Sequence, residues 1–161
     1  MIDPLLADLR RIYEGNAWHG PSVLEALEDV TTSQAAARPV ADAHSIYDLT
    51  HHIAAWIGET TSRLQGNPPG SPADGDFPSR STIVDNAAWA DARARLERRQ
   101  AELLETVSGF DAIRLDDVVN PKAPKDADGP ATFRALLSGL AQHSAYHAGQ
   151  IVLLKKALTT K

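Results

Sequence analysis

Residues 130–159, PATFRALLSGLAQHSAYHAGQIVLLKKALT, limit what this chain can become more than any other stretch. At about 100° per residue, Phe133, Leu136, Leu137, Leu140, Ser144, Ile151, Leu154 and Leu158 fall on one stripe of a single long helix. His143 and His147 sit inside that stripe, and a spacing of four puts their rings on successive turns of one face. A neutral imidazole in an apolar seam still carries a donor and an acceptor that need partners. Two stacked imidazoles have a cation as their natural shared partner. Core histidines are also satisfied by backbone carbonyls or by each other. This helix alone therefore leaves both readings open, and a metal site requires a third ligand from elsewhere.

A second helix, about 46–65, offers that ligand. Ser45 with Asp48 three residues on is an acidic form of the capping box. The apolar stripe is Ile46, Leu49, Ile53, Trp56, Ile57 and Leu64. His52 projects roughly 90° from the centre of this stripe and His51 roughly 170°. His52 is thus expected at the edge of the core and His51 toward water. If this helix packs against the last one, His52 can meet His143 and His147. Three protein ligands with positions left open is the pattern of catalytic metal sites, whereas structural sites are closed by four. Nitrogen ligation suits zinc, nickel, copper or iron.

Several neighbours carry two readings each. Gln150 either orients a ligand ring or is an ordinary interfacial glutamine. Tyr146 either donates to a substrate or rims the helix packing. Trp56 reads as core rather than pocket wall. His19 and His44, at helix boundaries, read as capping or exposed. Asp48 and Glu59 lie on the His52 side and are weak candidates for a general base.

The remaining elements are also helical. Asp3-Pro4 reads as an N-cap followed by a first-turn proline, opening a stripe of Leu5, Leu6, Leu9, Ile12 and Tyr13 that runs to about Trp18. Gly20-Pro21 breaks it, and Ser22–Val30 can resume. Thr31 with Gln34 caps a short helix that Pro39 closes. Thr82 and Asp85 open a helix to about Val107, ended by Gly109. Its Arg93, Arg95, Arg98 and Arg99 alternate with acids and read as a solvated face rather than an anion site. Two Pro/Gly-rich loops are expected, 66–81 and 110–129, the second ending in NPKAPKDADG and holding one helical turn. Lys155 and Lys156 suit the negative end of the last helix dipole. No segment alternates with the period of a strand. Four principal helices plus short pieces make a helical bundle, whose cofactor sites are built from side chains on facing helices.

Composition excludes some chemistry. The 161 residues suit one domain. A net charge of −5 argues against binding nucleic acid through its phosphates. The chain has no cysteine, so a disulfide, a thiolate zinc site and a cysteine nucleophile are ruled out, and any thiol chemistry needs an external thiol. The start lacks the basic and apolar regions of a signal peptide, and no stretch is long enough to span a membrane. A cytoplasmic protein without membrane partners is the expectation.

Three blocks carry a resemblance: Trp18-His19-Gly20-Pro21-Ser22, then Ser45 through Trp56 (SIYDLTHHIAAW), then Gln142 through Ile151 (QHSAYHAGQI). In order and spacing they resemble the DinB-like (DinB/YfiT-like) metalloenzyme family over nearly the whole chain, with HxxYHxGQI the specific part. The resemblance implies an all-α four-helix bundle (up-down-down-up type) with short extra helical pieces. It also implies a three-histidine site and a homodimer. Matched by position, the ligands are His52, His143 and His147. The family is named for DNA-damage induction, and some relatives look like transferases or isomerases that use low-molecular-weight thiols.

Two functions are carried forward. One is an enzyme whose divalent metal (zinc or nickel foremost, with iron, copper or manganese open) activates an external thiol, or a water for hydrolysis, on a small-molecule substrate. The other is a non-catalytic, metal-stabilised dimeric module in a stress or DNA-damage response. An accessible pocket above the histidines favours the first and a sealed core the second. His52→Ala is expected to abolish binding of a divalent ion by elemental analysis while His51→Ala leaves it intact. The reverse result would show the helix register to be wrong by one residue.

Overall fold

Capping side chains set where the helices begin. The computed structural model describes residues 2–119 and 132–159. Its helices are α1 (Asp3–Glu14), α2 (Val23–Leu27), α3 (Thr32–Ala36), α4 (Ile46–Leu64), α5 (Asn86–Ser108) and α6 (Phe133–Thr159), with a 3-10 turn at Ala112–Asp116. Reciprocal capping boxes open α2 (Ser22 with Glu25), α3 (Thr31 with Gln34) and α4 (Ser45 with Asp48). Each satisfies two backbone N–H groups that a helix start otherwise leaves unpaired. The fold is all-α. Among the described residues there is no strand, only one antiparallel bridge between Val118 and Thr132.

Three boundaries differ from the sequence reading. Asp3 is inside α1 rather than its cap; Ile2 caps it, and no side chain closes that end. The Asp3 carboxylate acts instead through the positive end of the helix dipole. α1 ends at Glu14, short of Trp18, because Gly15 and Asn16 take positive φ angles of 142° and 61°. Helix α5 starts after Asp85, whose carboxylate accepts from the Ala88 N–H at 2.8 Å. Asp85 is thus the cap, and Thr82 lies outside the helix. The loop expected at 120–129, and residues 130 and 131 of the expected last helix, lie outside the described residues.

Helix α4 packs against both α5 and α6, and α1 packs against the same two helices from the other side. This explains why α4 buries far more than a stripe. Ala54 and Ala55 are buried with Ile46, Ile53 and Ile57, and the buried Thr50 and Thr61 hydroxyls donate to the Ile46 and Ile57 carbonyls. At Gly58 a Cβ would stand 3.0 Å from Arg99 Nε, so α4 admits the Arg99 side chain of α5 there. The α6 face reads as its spacing demands: Phe133, Leu136, Leu137, Leu140, Ser144, Ile151 and Leu154 are buried. No helix among the described residues is long and apolar enough to cross a membrane.

The start of α4 is the point most open to a stability test. Ser45→Ala removes the hydroxyl that accepts from Asp48 N–H. It is expected to cost about 1 kcal/mol in denaturant unfolding, with Ser45→Thr recovering most of the loss.

Candidate metal centre

The packing of α4 on α6 brings His52, His143 and His147 to one point. His143 Nε2 lies 2.9 Å from His52 Nε2 and 3.1 Å from His147 Nε2. One ring nitrogen of each lies within 4.8 Å of the other two. His52 and His147 are buried and His143 is half-buried.

The opposite ring nitrogens decide what these contacts mean. His52 Nδ1 donates to Asp76, whose Oδ1 is at 2.9 Å and main-chain oxygen at 3.2 Å. Both are acceptors, so Nδ1 carries the proton and Nε2 presents a lone pair. His147 Nδ1 donates to Gln150 Oε1 at 2.6 Å, with the same consequence. His143 Nε2 stands between two lone pairs and can donate to only one of them. Its own Nδ1 is buried with no partner among the described residues.

A proton is a poor solution at neutral pH. Burial pushes the His143 imidazole down to about 4, with His147 and His52 adding to the effect. Burial likewise lowers His52, against the opposing pull of Asp76, and lowers His147, against its bond to Gln150. The donor set fits a divalent cation instead. Tetrahedral zinc with ligands at about 2.0–2.1 Å spaces its nitrogens about 3.3 Å apart, a few tenths wider than the two close contacts here. Three histidines this close could hold one divalent ion.

The loop at 66–81 closes one side of the centre. Gly75 takes φ +78° and donates its N–H to the Pro72 carbonyl at 2.9 Å, in a left-handed turn that glycine adopts without strain. Asp76 follows, and its Oδ1 also accepts from Trp56 Nε1 at 2.8 Å. The Phe77 ring stacks between His44 and His52, with centroids 3.7 and 4.0 Å away. The loop is tied down elsewhere as well. Arg99 Nη2 donates to Asp74 Oδ2 at 3.0 Å, which holds the Asp74 carboxyl below its ordinary range.

The other side is open. A cleft of about 540 Å³ runs from His52 and His143 along the α4–α6 groove, walled by Trp56, Thr60, Leu136 and Leu140. Trp56 is therefore a pocket wall, contrary to the core role its wheel position suggests. Gln150 orients His147. Tyr146 is 64 % exposed, its ring edge-on to His147 at 5.0 Å, and is a rim residue.

His51 does not face open water. Its Nε2 donates to the Asp74 and Gly75 carbonyls at 3.1 and 3.3 Å and so anchors the loop. The Asp48 carboxylate is engaged away from the three clustered histidines. It completes its capping box and pairs with Arg38 at 2.7 Å. Glu59 is no better placed, accepting from Arg63 Nε and Gly70 N–H, each at 2.8 Å. Arg99 is not merely solvated, because it ties α5 to the loop. His19 is exposed. Sequence reasoning missed Asp76 altogether. It lies 24 residues beyond His52, on no shared face, and only the length of its loop hinted at a role.

A family model described as the DinB superfamily matches residues 17–151. Neither the curated proteins nor the solved structures provide a match.

The lowered imidazoles set a pH dependence for the metal-free protein. In the unfolded chain each histidine takes a proton near pH 6.5; in the folded chain His143 waits until about 4. Across that window the unfolded state binds more protons, so stability falls as pH falls. The melting temperature in chelator is expected to drop between about pH 7.5 and about pH 5, read by circular dichroism. A rise over the same interval would contradict the assignment of buried, neutral rings.

Proposed function

Because the chain belongs to the DinB superfamily, we propose that it is a metal-dependent enzyme in which His52, His143 and His147 hold a divalent ion and an external low-molecular-weight thiol is transferred to a small electrophile. The supporting observation is that two of the three clustered imidazoles, His52 and His143, line an open cleft rather than a sealed core. That opening is what separates a catalytic site from a structural one. We read the scaffold as one four-helix-bundle domain of the up-down-down-up type. The reading is supported by the contacts of α1 and α4 with the same pair, α5 and α6.

When bound, a divalent ion would supply Lewis-acid stabilisation of a deprotonated thiol at neutral pH. The chain's residues do the remaining work. Asp76 and Gln150 hold the protons of His52 and His147 on Nδ1 and so aim both Nε2 lone pairs inward. Trp56, Leu136 and Leu140 exclude water from one side of the cleft. In the transfer, the thiol loses its proton to solvent through the open mouth. A sulfur–carbon bond forms, and the electrophile's leaving group departs with its bonding pair.

One observation favours a second reading, hydrolysis. Asp76 brings a carboxylate to the cleft wall and could take a proton from an attacking water. The two readings part at Asp76→Asn, which keeps an oxygen acceptor for His52 and Trp56 and removes the base. The zinc- or nickel-loaded protein would be screened with small thiols and electrophiles beside esters and amides. Thiol consumption is expected to need the metal, to vanish in His143→Ala and to survive Asp76→Asn within about tenfold. Ester hydrolysis lost in Asp76→Asn, with no thiol turnover in any variant, would replace the first reading by the second.

A further inference from the structure

We infer that the cleft takes an elongated, uncharged and mainly apolar molecule bearing one neutral hydrogen-bonding group at the end remote from the histidines. The inference rests on the reading above only in treating the histidine end as the reactive end.

The length comes from helix geometry. His52, Trp56 and Thr60 are spaced by four on α4, and His143, Gly139 and Ala135 by four on α6; all six line the same cleft. Eight residues at about 1.5 Å each make either line ~12 Å long. A compact substrate would leave most of this apolar wall wet, which costs the binding that its burial provides.

The lack of charge comes from the partners already present. Apart from the histidines, the charged groups of the lining are Arg63 and Asp76. Arg63 is paired with Glu59 and donates to the Gly70 carbonyl at 3.1 Å. Asp76 accepts from His52 and Trp56. A charged ligand would be desolvated against walls that hold no uncommitted counter-ion.

The distal polar group comes from Thr60. This side chain is only 3 % exposed and lines the cleft. Unlike those of Thr50 and Thr61, its hydroxyl makes no hydrogen bond to the described residues. Among the described residues the buried side-chain atom left without a partner is His143 Nδ1 and not this hydroxyl, so the Thr60 hydroxyl keeps access to water, which a ligand oxygen at the far end would replace. Gly139 sets the width of the mouth. It is exposed, and a Cβ there would meet nothing within 4 Å, so a larger side chain can narrow the opening without disturbing α6.

Straight-chain hydroxamates test this on the zinc-loaded protein by calorimetry. Hexanohydroxamate is expected to bind about a hundredfold tighter than acetohydroxamate. Gly139→Phe should weaken octanohydroxamate about tenfold and leave acetohydroxamate unchanged. A terminal hydroxyl on the octano chain should add about fivefold, lost in Thr60→Val. Equal affinity along the series would overturn the inference, as would a terminal carboxylate or ammonium binding better than the hydroxyl. Should acetohydroxamate itself not bind, straight-chain alkanols decide the matter by thermal shift of the metal-free protein. A gain with chain length that Gly139→Phe removes keeps the cleft assignment while the metal reading falls. No gain ends both.

Discussion

Two hydrogen bonds on the far side of the imidazoles control the whole centre. A neutral imidazole has one proton to place. Asp76 claims it for Nδ1 of His52 and Gln150 claims it for Nδ1 of His147. Both Nε2 atoms are left as lone pairs aimed at a third imidazole. Burial then opposes the simplest remedy, protonation, most strongly at His143. The result is a largely buried cluster with more acceptors than donors. Such a cluster is stabilised by a cation, and by a compact one, because the nitrogens are already close.

The scaffold is arranged around that need. Helix α4 packs against both α5 and α6, so its small residues are buried on several sides, and Asp76 holds its His52. The loop after α4 is held at successive points. Glu59 and Arg63 fix Gly70, His51 and Arg99 fix Asp74, and the His44–Phe77–His52 stack fixes its end. These bonds are individually modest. Together they hold one carboxylate against one imidazole, which places a ring to the tolerance a coordinated ion requires. Among the described residues the opposite flank has no such loop. Exposed Ala135 and Gly139 border it, and the cleft remains open there.

Much of this was readable in advance where it depended on neighbours along the chain. Capping pairs such as Thr31–Gln34 and Ser45–Asp48 are three residues apart, and both formed. The buried face of α6 followed from its period. His52 was separated from His51 because adjacent residues on a helix point about 100° apart. Three further differences share one cause. Trp56, Glu59 and His51 were judged by angle alone, and their partners arrive from residues 70–76. An angle on a wheel gives a direction; it does not say what occupies it.

What the amino-acid sequence determined by itself was the inventory of helices, the face on which each imidazole stands and the absence of any thiol of its own. These are local properties, set by backbone periodicity and composition, and they hold whatever the chain does elsewhere. Only the tertiary structure decided that α4 meets α6 at His52. It also decided that Asp76 closes one flank of the centre while the other opens onto an apolar cleft. Those outcomes depend on contacts between residues 24 and 91 positions apart, whose geometry no short-range pattern records.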